Sequence, residues 1–167
     1  YMEYLGSALS NMHMEIEGST DEQFETIKTR FADELDIKWL DPLGFNNTYR
    51  MVVTKETAEK YDLKNTTDMA KVADQLTLGC TQIFTEREDG VPGLTEHYGF
   101  EFKDVLGMDA SLMYQAVDQG NVDVISGFTT EGRIVAFDLV VLDDDKEFFP
   151  PYDSSIIVRQ EVLKEHP

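Results

Sequence analysis

Apolar positions recur along this chain in two rhythms. Between Glu22 and Asp36 they fall three and four apart, at Phe24, Ile27, Phe31 and Leu35. That spacing predicts an amphipathic helix with one buried face, capped by Thr20 or Asp21. Elsewhere, short apolar runs alternate with helical stretches. Ile37 to Leu40, Thr48 to Thr54, Leu76 to Cys80, Val122 to Ser126, Leu139 to Leu142 and Ser155 to Val158 read as strands. Lys55 to Tyr61, Thr67 to Ala73 (capped by Thr66 or Thr67), Leu94 to Gly99, Ala110 to Asp118 and Thr130 to Phe137 read as helices. Tyr1 to Met14 is apolar, with Gly6-Ser7 offering a turn or helix start. Asp41-Pro42-Leu43-Gly44 reads as a turn, Glu86 to Gly93 as a polar loop, Asp143 to Lys146 as a solvated acidic turn, and Phe148 to Pro151 as a stiff connector. The alternation predicts an α/β layered architecture with a mostly parallel sheet. No internal repeat or low-complexity tract interrupts it.

Composition narrows the function classes. The 167 residues are 41% hydrophobic and 28% charged, the balance of a folded globular chain. With 33 acidic residues against 14 basic ones the net charge is −19. A polyanion would be repelled, which sets aside nucleic acid and anionic membrane surfaces; a cationic ligand would be mildly attracted. The one cysteine, Cys80, can form no disulfide within the chain and reads as a small buried hydrophobe in the Leu76 to Phe84 run. No stretch approaches the roughly 18–20 apolar residues of a membrane span. The chain opens on Tyr1 in a segment that already reads as structured, and it closes just after a strand runs into a helix. It therefore reads as part of a longer protein.

Catalytic patterns are absent. There is no P-loop, GxGxxG or GxSxG, and His13, His97 and His166 lie far apart, outside any metal-binding spacing. Asp143-Asp144-Asp145 lacks the glycine and glutamate of an EF-hand loop. Glu86, Glu88 and Asp89 are available as paired carboxylates but crowd around Arg87, which favours a charged loop. No cofactor or metal is expected. More informative are Tyr4, Tyr49, Phe128 and Tyr152, which stand beside turn residues rather than at helical core spacing. Aromatics so placed either pack ordinarily or face a cleft.

Five segments, in order along the whole chain, resemble one family. Glu3-Tyr4-Leu5-Gly6-Ser7-Ala8-Leu9 resembles its EYTGTAL segment, and Gly44 to Tyr49 its GFNNTY segment. Phe84 to Gly90 with Gly93-Leu94 and Tyr98-Gly99 is similar to EF..R.DG..GL...YG. Gly120 to Val124 with Phe128 to Ile134 is similar to G.VDV..AYSTDGRI, and Leu142 to Tyr152 to L.DDK.FFPPY. The family is that of substrate-binding proteins, or fused substrate-binding domains, of osmoprotectant ABC importers.

The resemblance implies an α/β, type II periplasmic-binding-protein-like fold of two lobes that close on a ligand. Residues 48–152 would be one complete lobe, 1–47 part of the other, and 153–167 a return segment to it. It implies an aromatic cage around a quaternary ammonium, formed by Tyr4, Tyr49, Phe128 and Tyr152. Ser7 would supply a hydroxyl and Arg87 would help to hold the ligand's carboxylate side and the closed form. The partners implied are a small quaternary-ammonium solute and an ABC permease, separate or fused, with the domain outside the cytoplasmic membrane and tethered to it. Three positions depart from the pattern: Phe128 for tyrosine, Ser7 for threonine and Glu131 for aspartate. Glycine betaine, choline, carnitine, proline betaine and ergothioneine all remain open as ligands. The competing readings are a type II domain for another polar solute such as an amino acid, an enzyme on the same scaffold, and a regulatory module without ligand. Because further ligand contacts would lie outside these residues, the stretch alone is expected to bind poorly.

Overall fold

The computed structural model describes residues 1–14 and 18–166. The chain divides into two compact units. Tyr1–Thr48 and the return segment beginning at Pro150 form one, and Tyr49–Phe149 forms the other. Thr48 and the Pro150-Pro151-Tyr152 run, placed by sequence in the second lobe, therefore sort with the first unit.

In the first unit, β1 (Met2–Tyr4), β8 (Asp153–Arg159) and β2 (Ile37–Asn46) form an antiparallel sheet in the order β1-β8-β2. The expected turn at Asp41 to Gly44 is instead part of β2, whose register slips between Trp39 and Pro42 and again between Pro42 and Asn46. Pro42 has no N–H to give a ladder, so the strand bulges there rather than turning. The helix α2 (Thr20–Leu35) packs on this sheet. Its cap lies one residue earlier than expected: Ser19 Oγ accepts the Glu22 N–H, and Glu22 Oε2 accepts the Ser19 N–H at 2.8 Å, a reciprocal capping box. Phe24, Ile27 and Phe31 are buried as the periodicity predicts, while Leu35 is 47% exposed because the helix ends there. Trp39 is the hub, with Phe24 and Phe31 edge-on to it at 5.8 and 5.4 Å.

In the second unit the five-stranded sheet runs β5 (Asp104–Met108), β4 (Thr77–Thr81), β6 (Val124–Phe128), β3 (Tyr49–Val53), β7 (Val140–Val141). β5, β4 and β6 are parallel, but β3 pairs antiparallel with both β6 and β7. Four of the five strands thus share one direction, as expected of a mostly parallel sheet, and β3 alone runs against them; hydrophobic runs mark strands but carry no direction, so that reversal is not written in the sequence. β3 alternates cleanly. Met51 and Val53 face one buried cluster with Leu78, Cys80, Phe84 and Phe149, and Val52 faces another with Met113, Tyr114 and Ile125.

Helix α3 (Lys55–Tyr61) and α6 (Ala110–Asp118) match expectation, with Thr54 and Asp109 as caps. α4 (Thr66–Ala70) is capped by Asn65 rather than by a threonine, α5 spans Val91–Tyr98, and α7 is reduced to Arg133–Ala136. Cys80 is fully buried, and burial pushes its thiol up to about 11.

Candidate functional site

Tyr49 and Phe128 end facing strands. They are directly opposed in the β3–β6 register, and their ring centroids lie 4.6 Å apart at 40°. Two more rings join them: Phe84 at 5.0 Å and Phe149 at 5.9 Å from Tyr49. Phe84 and Phe149 are buried, while Tyr49 and Phe128 keep partial exposure. The result is a wall of four rings with two accessible members. Burial holds the Tyr49 phenol above its ordinary range; the charge of Arg87 works against this and that of Asp89 with it.

That pair of charges sits on the 86–90 loop. Arg87 Nε and Nη2 donate to the two carboxylate oxygens of Asp89 at 2.6 and 2.5 Å, which fixes the guanidinium plane. The loop closes tightly: the Gly90 N–H donates to Arg87 O at 3.0 Å, and a Cβ at Gly90 would fall 2.1 Å from Phe84 O. Glycine there lets the arginine loop fold down beside Phe84.

Phe149 is set by an anchor in the acidic run. The carboxylate of Asp144 is only 2% exposed. It accepts the Tyr98 hydroxyl at 2.6 Å and the N–H groups of Phe148 and Phe149 at 3.1 and 2.9 Å. Asp144 is thus a buried anchor, not part of a solvated turn. The signal was visible as an acid followed by an aromatic pair, but charge runs read as solvent-facing unless donors are known to converge. Glu131, one of the three departures from the family pattern, accepts from Arg133 Nη2 at 2.7 Å.

In the first unit, Tyr4 ends β1 opposite Ser154 and serves as the N-terminal boundary of α1 (Leu5–Asn11). Ser7 lies in the first turn of that helix, half-buried. Tyr152 is 4% exposed just before β8. Its N–H donates to Asn46 Oδ1 and its carbonyl accepts the Asn47 N–H, both at 3.1 Å. A Cβ on Gly6 would lie 3.1 Å from the Tyr152 ring and 3.0 Å from Pro151 O, so helix α1 and this ring approach closely only because residue 6 is glycine. The structure thus brings Tyr49 and Phe128 together, with Arg87 near enough to act on Tyr49 electrostatically. It places Tyr4, Ser7 and Tyr152 on adjoining segments of the other unit. Phe84, Phe149 and Asp144 are the members that sequence reasoning missed.

All 167 residues match the family model described as the substrate binding domain of ABC-type glycine betaine transport systems. The chain is 39% identical to the ergothioneine transport permease/ergothioneine binding protein of Helicobacter pylori (strain G27), over 100% of this chain and 30% of that protein. It is 42% identical to the carnitine transport binding protein of Listeria monocytogenes, over 84% of this chain and 46% of that one. Among solved structures it is similar to a glycine betaine/carnitine/choline ABC transporter protein, with a TM-score of 0.80 and 39% identity, covering 99% of this chain and 61% of that one. The chain therefore spans between about a third and three-fifths of the length of these relatives.

Proposed function

The chain belongs to the family of substrate-binding domains of ABC-type glycine betaine transport systems, and from that premise we propose that it binds a small quaternary-ammonium solute outside the cytoplasmic membrane and delivers it to an ABC permease. The fold is of the type II periplasmic-binding-protein kind, as in its structural neighbours, and the family's role is binding rather than catalysis. No described helix is long and apolar enough to cross a membrane.

The observation that carries the proposal is the Tyr49–Phe128 ring pair, backed by Phe84 and Phe149 and adjoining the Arg87–Asp89 pair. A quaternary ammonium has no N–H to donate, so hydrogen bonds cannot select its head group. It is bulky, cationic and weakly hydrated. Aromatic faces offer it apolar area and a negative quadrupole together, at about 0.5–2 kcal/mol per face. We assign Tyr4, Tyr49, Phe128 and Tyr152 to that role. Arg87 and Ser7 are the donors for a ligand carboxylate or hydroxyl. The chain's relatives include a carnitine and an ergothioneine transport protein, and both solutes are compatible with this chemistry.

Replacing Tyr49 by alanine in the full-length protein tests it. Affinity for the bound quaternary ammonium should fall about 2- to 30-fold, the loss of one aromatic face. Unchanged affinity would remove the cage and leave a type II domain for another polar solute.

A further inference from the structure

The segment leaving β6 returns twice to one side chain. Tyr114 stands on α6, 1% exposed, and its Oη accepts the Phe128 N–H at 2.9 Å. The β4–β6 pairing ends at Gly79↔Ile125. The Phe128 N–H thus lies beyond the last paired β4 residue, and a side chain takes the place of a strand as its acceptor. Gly127 permits the approach: a Cβ there would lie 3.2 Å from Tyr114 Oη and 2.7 Å from Val52 Cγ2.

The second return is through Arg133. Its guanidinium lies 4.4 Å from the centroid of the Tyr114 ring. Nη1 donates to Ser111 O on the same helix at 2.9 Å, and Nη2 donates to Glu131 Oε2 at 2.7 Å. The Glu131 N–H in turn donates to Phe128 O at 3.1 Å. Residues 128 to 133 are thus fixed at their start by the hydroxyl of Tyr114 and at their end by its ring face.

We propose that Tyr114 is a positioning residue for ligand binding: it fixes the Phe128 backbone, and hence the ring that opposes Tyr49, through its hydroxyl, while Glu131 and Arg133 hold Tyr114 in place. The binding part of this assignment rests on the quaternary-ammonium reading of the Tyr49–Phe128 pair. Tyr114 sets affinity through Phe128, by keeping its ring in the geometry in which both faces of the pair are presented together.

Tyr114→Phe in the full-length protein separates this role from bulk packing, because it keeps the ring beneath Arg133 and removes only the acceptor. Val117→Ala, a cavity variant on the same helix within the same buried cluster, is the control for lost stability. Two readouts are needed. The first is amide hydrogen exchange without ligand: the Phe128 amide should exchange at least about 10-fold faster in Tyr114→Phe, with Ile125 unchanged. The second is calorimetric titration with glycine betaine, choline, carnitine and ergothioneine. For whichever binds the unmodified protein, Tyr114→Phe should weaken binding about 5- to 30-fold and Val117→Ala no more than about twofold. An unchanged Phe128 amide, unchanged affinity in Tyr114→Phe, or an equal loss in Val117→Ala overturns the assignment. Should the unmodified protein bind none of the four, the functional reading falls, and the exchange measurement alone decides whether Tyr114 fixes Phe128.

Discussion

At the scale of single residues, burial inverts what composition suggests. Asp144 sits in a run of three aspartates that reads as solvent-facing, yet it is the residue on which the Phe148-Phe149 backbone hangs. Its removal leaves two N–H groups and the Tyr98 hydroxyl short of their acceptor, with Arg50 Nη1 3.8 Å away losing a counter-charge. Asp144→Ala should destabilise the protein by about 3 kcal/mol. Asp143→Ala next to it, on an exposed side chain, should stay within about 0.5 kcal/mol. Denaturant titration of the two variants side by side checks this, and equal small effects would return Asp144 to the solvated turn. Phe128 makes the complementary point. It keeps the aromatic face of the tyrosine expected at its position, and its N–H donates to the hydroxyl of a different tyrosine, Tyr114.

At the scale of elements, what could be read from the sequence was whatever is written locally. The 55–61 and 110–118 helices are bounded by caps and breakers within their own segments, Thr54 and Asp109 at their starts, and they match to the residue. The Phe24-Ile27-Phe31 face was legible for the same reason, while its cap was misplaced by one residue because Ser19, Thr20 and Asp21 are all competent. Ser19→Ala should cost about 1 kcal/mol of stability, read as a lower thermal midpoint, whereas Thr20→Ala should cost little; the reverse ranking would contradict the observed box. Strand β5 escaped notice because Asp104–Met108 is short, half-exposed and interrupted by Gly107. The antiparallel entry of β3 and the bulged course of β2 escaped because pairing direction and register are decided by distant partners. For the candidate site, the six residues indicated by family resemblance were legible as motifs. Their support by Phe84, Phe149, Asp144 and Tyr114 was not: Phe84, Phe149 and Tyr114 act across more than ten residues of sequence, and Asp144 acts on the nearby Phe148-Phe149 backbone from an acidic run that reads as solvated.

At the scale of the whole molecule, the acidic balance and the buried acids of the second unit set the pH behaviour. Burial raises the Cys80 thiol from its ordinary 9.0 to about 11, and burial together with the Asp144 hydrogen bond raises the Tyr98 hydroxyl well above its usual range. Both groups hold their proton more tightly folded than unfolded. Their contribution is complete below about pH 9 and is lost as pH rises through the folded values, in the same direction as the growing repulsion of a chain already at −19. Stability should therefore fall from about pH 9 upward, and Cys80→Ala should flatten the loss between 9 and 11; an unchanged slope would show that the thiol takes no part. The central claim, that these aromatic residues serve a quaternary ammonium, is tested most directly by calorimetric titration of the full-length protein. Glycine betaine, choline, carnitine and ergothioneine would each be compared with its unmethylated counterpart. The account predicts that one of the four binds and that stripping its methyl groups weakens binding at least about 100-fold. Equal binding of the unmethylated compound, or no heat from any of the four with a folded protein, would contradict it.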